Sequence, residues 1–169
     1  MKKLRLFAFL VCGILLVSTG CTGGEEEAWK EAREVLGISE VGGTVVSDED
    51  SHGGFHGDGT SLLTVAFSDE SFLEAVESSE EWKALPADQT VQALLYGISW
   101  EDGQIGPYLT DEEGNALIPA VQEGYYWFQD RQTTEEADGV ALLDRPSVNC
   151  TVAVYDTKTN ELYYATLDT

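Results

Sequence analysis

Residues 147–169 read SVNCTVAVYD, TKTN and then ELYYATLDT. In the first run Val148, Cys150, Val152 and Val154 recur at every second position, so they share one face of a strand. The DTKTN segment supplies turn residues, and Asn160 is suited to a left-handed backbone. The second run then returns as a partner strand. Two such runs around a short turn specify an antiparallel hairpin. A hairpin leaves a whole apolar face to cover, so the rest of the chain must supply layers for it. Cys150 stands in line with three valines, and is read as a small buried residue, not a reactive thiol.

The segments upstream supply those layers. Trp29, Ala32, Val35 and Leu36 fall at three- and four-residue spacing, which predicts a helix from Glu25 to Leu36 with Gly37 as its stop. Residues 43–46 and 61–67 read as two strands. Ser71-Phe-Leu-Glu74 has the spacing of a capping box opening a second helix with Phe72, Leu73 and Val76 on its apolar stripe. A short helical turn is expected over 80–85, and another helix over 89–96 before Gly97. Residues 98–123 are rich in turn residues and predict short strands and loops. GYYWFQDR, residues 124–131, reads as a strand with aromatic residues on both faces. The elements together predict an α+β domain, an antiparallel sheet with helices packed on one face and a C-terminal β-hairpin.

Residues 1–21 read MKKLRLFAFLVCGILLVSTGC. Three bases precede an apolar run that is shorter than the roughly 20 residues of a spanning helix. This is the form of a secretory signal. Its ending, with small residues leading directly to Cys21, resembles the lipobox of bacterial lipoprotein signal peptides, although Ser18 stands where that family most often has leucine. The resemblance implies cleavage before Cys21 and acylation of its sulfur. It divides the chain into a signal at 1–20, a lipidated cysteine and short tether at 21–24, and one acidic domain at 25–169. Plain secretion is the alternative, since Ser18-x-Gly20 also suits the common signal peptidase. Cys12 lies in the apolar run and Cys21 ends it, so Cys150 has no partner for an intramolecular disulfide.

Charge narrows the partners. The chain has 9 Lys+Arg against 31 Asp+Glu, a net of -22. Lys2, Lys3 and Arg5 belong to the signal, so the remainder carries 6 bases against 31 acids, or -25. Such a surface is repelled by nucleic acid and by anionic headgroups. Attachment to a bilayer therefore falls to acylated Cys21. The expected location is the extracytoplasmic side of the cell membrane, with a cell-envelope protein or a sugar as candidate partner and no nucleic acid.

Three features bear on chemistry. The stretch SHGGFHGDG, residues 51–59, holds both histidines of the chain and four glycines. His52, His56 and Asp58 are suitable donors for a divalent metal, and zinc takes three protein ligands plus water. No HExxH or CxxC accompanies them. A calcium loop counted from Asp48 fails, because its twelfth position is Gly59 where glutamate is required. Consecutive glycine N–H groups also form anion nests, yet neither GxGxxG nor a Walker loop is present. The structural alternative is a tight turn using glycine's freedom, with Phe55 plugged into the core and the histidines bonded to nearby carbonyls.

The second feature is aromatic. Tyr125 and Trp127 share one face of their strand and form a candidate platform for a sugar. The alternative is that both faces of the strand are covered. The third is the acids, whose runs at 25–27, 48–50 and 135–136 are read as solvated faces. Arg131 and Arg145 are expected to compensate crowded acids. No GxSxG or other nucleophile motif occurs, so a metal-dependent envelope hydrolase is the only enzyme class the sequence suggests, and a divalent metal its only candidate cofactor.

HGGFHGDG, Tyr126-x-Phe128-x-Asp130-Arg131 and Asn149-x-Thr-x-Ala-x-Tyr155-Asp156 together resemble a group of uncharacterised proteins from Gram-positive bacteria. That resemblance spans most of the mature chain and assigns no role to any residue. The expected function is that of a membrane-anchored lipoprotein with a binding domain, against the alternatives of a metal enzyme or a carbohydrate-binding module.

Overall fold

A computed structural model describes residues 22–53, 57–132 and 139–169. The C-terminal hairpin forms as its pattern requires. The strands that become β7 (Cys150–Asp156) and β8 (Glu161–Asp168) pair antiparallel with Val152 opposite Ala165. Asn160 takes the left-handed conformation at φ 58°. Its side-chain amide donates to the carbonyls of Phe67 (2.9 Å) and Asp69 (3.1 Å), and its Oδ1 accepts from the hydroxyl of buried Tyr155. The turn thus satisfies a buried phenol and pins the start of the second helix.

In chain order, α1 (Thr22–Val35) is followed by β1 (Thr44–Asp50) and β2 (Gly59–Ala66), then α2 (Ser71–Glu77), β3 (Lys83–Ala84) and α3 (Gln89–Tyr96). A two-stranded sheet of β4 (Ile98–Trp100) and β5 (Gly103–Ile105) comes next, before β6 (Gly124–Asp130), a 3₁₀ helix at Gly139–Asp144, and the hairpin. Six strands form one sheet in the order β1-β2-β8-β7-β6-β3, with every neighbouring pair antiparallel. No helix among the described residues is long and apolar enough to cross a membrane.

The α+β architecture, the antiparallel sheet and the terminal hairpin agree with the sequence. The helical cover is fuller than expected. On one face, Trp29 and Ala32 of α1 and Phe72 and Val76 of α2 pack with Val65, Trp127, Ala153 and Tyr155. On the other, Val91, Leu94 and Leu95 of α3 and Leu142 of the 3₁₀ helix pack with Tyr126, Val152, Val154 and Ala165. Strand side chains alternate between faces, and in β7 residues 150–155 are all buried. Both faces of this central strand therefore needed a layer.

Local chemistry explains the other departures. Ser71 does not cap α2. Asp69 Oδ1 instead accepts from the Ser71 N–H at 3.0 Å, and Glu70 occupies the capping position without a side-chain bond. Residues 80–85 do not form a helical turn, because Lys83 and Ala84 pair with Tyr126 and Tyr125 at the sheet edge. A segment that short gains little as an isolated helix. In contrast α3 spans its expected residues, since Asp88 Oδ1 accepts from Val91 N–H at 3.0 Å and Gly97 ends it at φ 73°. Gly124, at φ 153°, opens β6 where a Cβ would lie 1.8 Å from the Tyr155 carbonyl oxygen.

Candidate functional site

The β1–β2 connection begins the site. His52 lies between two carboxylates: its Nδ1 is 2.5 Å from Asp50 Oδ1, and its Nε2 is 3.0 Å from Asp168 Oδ2 at the end of β8. Both ring nitrogens therefore face carboxylate oxygens. Asp168 Oδ2 also accepts from Arg131 Nη2 at 2.8 Å, and the same nitrogen reaches the carbonyls of Cys150 (3.2 Å) and Leu167 (3.1 Å). The chain Asp50–His52–Asp168–Arg131 thus ties the loop to β8, β7 and β6.

Glycine has a steric role here. A Cβ at Gly59 would sit 2.6 Å from His52 Cα, so the two limbs of the loop touch only because position 59 lacks a side chain. Gly57 takes φ 73°. Glycine's freedom is used as the tight-turn alternative expects, but His52 bonds carboxylates and not the carbonyls that alternative gave it. His56, with Gly54 and Phe55, lies outside the described residues, as does Cys21. Among the described residues, no three His, Cys, Asp or Glu side chains gather as a metal would require. His52 and Asp58 therefore do not make a ligand set between them and a third described residue.

Asp50 is held below the ordinary carboxylate range, first by the backbone N–H of His52 and then by its ring. Its folded value is depressed, so its contribution to stability is complete above about pH 4 and is lost as the pH falls through the depressed value. In His52→Ala the backbone N–H of residue 52 remains, so the Asp50 carboxyl is expected to titrate only part of the way back toward the ordinary range. NMR titration of its side-chain carbonyl measures this, and an unmoved titration would show that the ring contributes nothing.

Beside this chain lies a groove of about 640 Å³, between the end of the sheet and the loop at 108–117. Leu62, Tyr108, Leu117 and Leu167 line it, together with six carboxylates: Glu49, Asp50, Asp58, Asp111, Glu112 and Asp168. Among the described residues, no Lys, Arg or His lines it. The Asn115 side chain and backbone N–H hold the Asp111 carboxyl below the ordinary range. The groove accordingly presents an apolar surface within a field of negative charge, an arrangement that attracts cations and repels anions.

The aromatic platform needs correction. Trp127 is buried under the α1–α2 layer and its indole N–H donates to Glu81 at 3.2 Å. Tyr125 is half-buried on the same face, with its hydroxyl on Glu77 at 3.1 Å. They are packing residues, because the second helix covers the face that a sugar would have needed. Cys150 is fully buried and burial pushes its thiol up to about 12, as expected of a core residue. The two arginines do compensate crowded acids. Arg131 reaches Asp168, and Arg145 Nη1 is 2.6 Å from Asp130 Oδ2, whose side chain is 5% exposed.

Sequence reasoning missed the far wall of the groove. The only signal was the density of acids at 48–50, 111–113 and 168, three separate places that folding brings to one end of the sheet. No protein-family model, curated protein or solved structure matches this chain.

Proposed function

We propose that this protein is a lipid-anchored binding protein of the extracytoplasmic membrane face, acylated on Cys21, and that its domain binds a positively charged ligand in the groove without transforming it. What carries the proposal is the groove itself, with six carboxylates, apolar residues between them and no base among the described residues. The one histidine among the described residues supports binding over catalysis, since both its ring nitrogens are already bonded. The N-terminal resemblance supports the anchor, and the excess of acids supports the sign of the ligand.

Two experiments test the two halves. In the native host, Cys21→Ala is expected to move the protein from the membrane pellet to the soluble fraction by at least about tenfold, because two acyl chains add about 0.8 kcal/mol per buried methylene. Equal membrane retention would refute the anchor. Glu49, Asp58 and Glu112 line the groove and make no side-chain hydrogen bond among the described residues, so they are removable with little structural cost. The triple variant Glu49→Gln/Asp58→Asn/Glu112→Gln is expected to bind a lysine-containing peptide about thirtyfold more weakly, at roughly 0.5–1 kcal/mol per exposed charge contact. Calorimetric titration of the full-length protein in detergent measures it, and unchanged affinity would sink the groove as the site.

A further inference from the structure

The groove does not end at its own walls. Glu49, Asp50 and Ser51 border it, and they close the edge strand β1, which has β2 on one side and no strand on the other among the described residues. The Ser51 N–H bonds the Thr60 carbonyl at 2.9 Å. Antiparallel alternation therefore turns the backbone groups of Ser47 and Glu49 toward β2, and those of Asp48 and Asp50 outward. At its other end, Thr44 and Val45 border a second cavity of about 580 Å³ beneath α1, walled by Trp29, Lys30 and Arg33.

The two cavities lie on opposite faces of the sheet. Val45 packs with the α1–α2 core, whereas Glu49 is paired with Leu62 of the α3 core. A strand's side chains alternate between faces, so a guest strand beside β1 would direct successive side chains alternately toward the two cavities. β1 is seven residues long, and about 3.3 Å per residue carries a guest of similar length from one cavity to the other.

The cavity under α1 has two donors without acceptors. Trp29 Nε1 and Arg33 Nε are buried atoms with no hydrogen-bond partner among the described residues, and Trp29 is 5% exposed. Buried N–H groups are rarely left so. The pyrrole side of the indole lies toward Gly43, where a Cβ would be 3.3 Å from Cε2, the carbon bonded to Nε1. The Trp29 donor therefore sits next to Gly43, just before the open strand, and both donors border the cavity that the guest's side chains would face.

Charge selects the guest. An open edge is usually guarded by charges and bulges. β1 has both, with Asp48, Glu49 and Asp50 along it and a register shift between Val45 and Ser47. Those acids repel another copy of this acidic chain, nucleic acid and anionic lipid, but they attract a basic strand. We infer that β1 is a docking edge to which an extended, basic polypeptide segment of a partner adds as a further strand, its alternate side chains directed toward the groove and the cavity under α1. This rests on the groove being a cation site and names the kind of cation.

The test uses full-length protein in detergent micelles and a peptide of about eight residues alternating valine and lysine. Its control is the same peptide N-methylated at alternate residues, which keeps charge and side chains but cannot pair along β1. The parent peptide is expected to slow hydrogen exchange of the Asp48 and Asp50 amides at least about tenfold, and the methylated one to bind at least about tenfold more weakly. Asp48→Pro removes one outward N–H at an edge position that tolerates proline, and is expected to cost a similar factor. Should that variant unfold, the methylated peptide still decides. Equal binding of both peptides with no protection of β1 overturns the docking edge and leaves the groove as a plain cation site. If neither peptide nor free spermine binds, the groove itself is wrong. Association of the protein with itself through β1, seen by sedimentation and lost in Asp48→Pro, overturns the basic partner in favour of a second copy.

Discussion

Phe72→Ala is expected to lower the unfolding free energy by about 4 kcal/mol, near the middle of the 3–5 kcal/mol range for buried Phe-to-Ala changes. The ring is wholly buried. It stacks on Phe67 at 4.3 Å and 18°, meets Trp82 edge-on at 5.7 Å and lies 4.8 Å from Tyr155. The wall cannot easily close on the space left behind, because the Tyr155 hydroxyl is bonded to Asn160, which is in turn bonded to the carbonyls before α2. Denaturant unfolding followed by tryptophan fluorescence gives the value. Phe72→Leu, which retains most of the volume, is expected to cost about a third as much. A loss under about 1.5 kcal/mol in the alanine variant would mean that this layer relaxes freely.

Arg145→Ala is expected to cost about 3 kcal/mol. Its guanidinium lies 2.6 Å from Asp130 Oδ2, and the Asp130 side chain is 5% exposed. Removing one member of a buried pair leaves a charge that water cannot reach, a loss of about 3–5 kcal/mol. The lower end applies because the Arg145 side chain itself is 31% exposed. Among the described residues, Asp130 Oδ1 would keep only the Gln132 N–H at 3.0 Å. The double variant Asp130→Asn/Arg145→Ala is expected to recover most of the loss, since the neutral amide no longer needs a cation. Failure of the second change to recover at least about 1.5 kcal/mol would assign the effect to lost packing of the arginine stem.

How much of this was written in the sequence depended on distance along the chain. The hairpin and α3 were legible because their determinants are local: alternation and Asn160 for one, Asp88 and Gly97 for the other. β1 was under-read. Its second half is SDED, a run with low strand propensity that becomes strand because β2 offers a partner from Ser61 to Thr64. The layer on the second face was foreshadowed by aromatics on both faces of β6, but nothing local says which helix covers which side. In the site, His52 stood out and Asp50 was two residues away. Asp168, 116 residues distant, was out of reach of any pattern. The groove joins three acidic segments that share no spacing.

The position of Cys150 has a practical consequence. It sits in β7, in the interior of the six-stranded sheet with β6 and β8 on either side. Its side chain lies in the core under α3 and the 3₁₀ helix, so a thiol reagent reaches that sulfur only when that layer lifts from the sheet, and alkylation of Cys150 proceeds at the rate of that opening. Labelling intact cells would then time the opening of this protein where it resides, with no probe added to its surface.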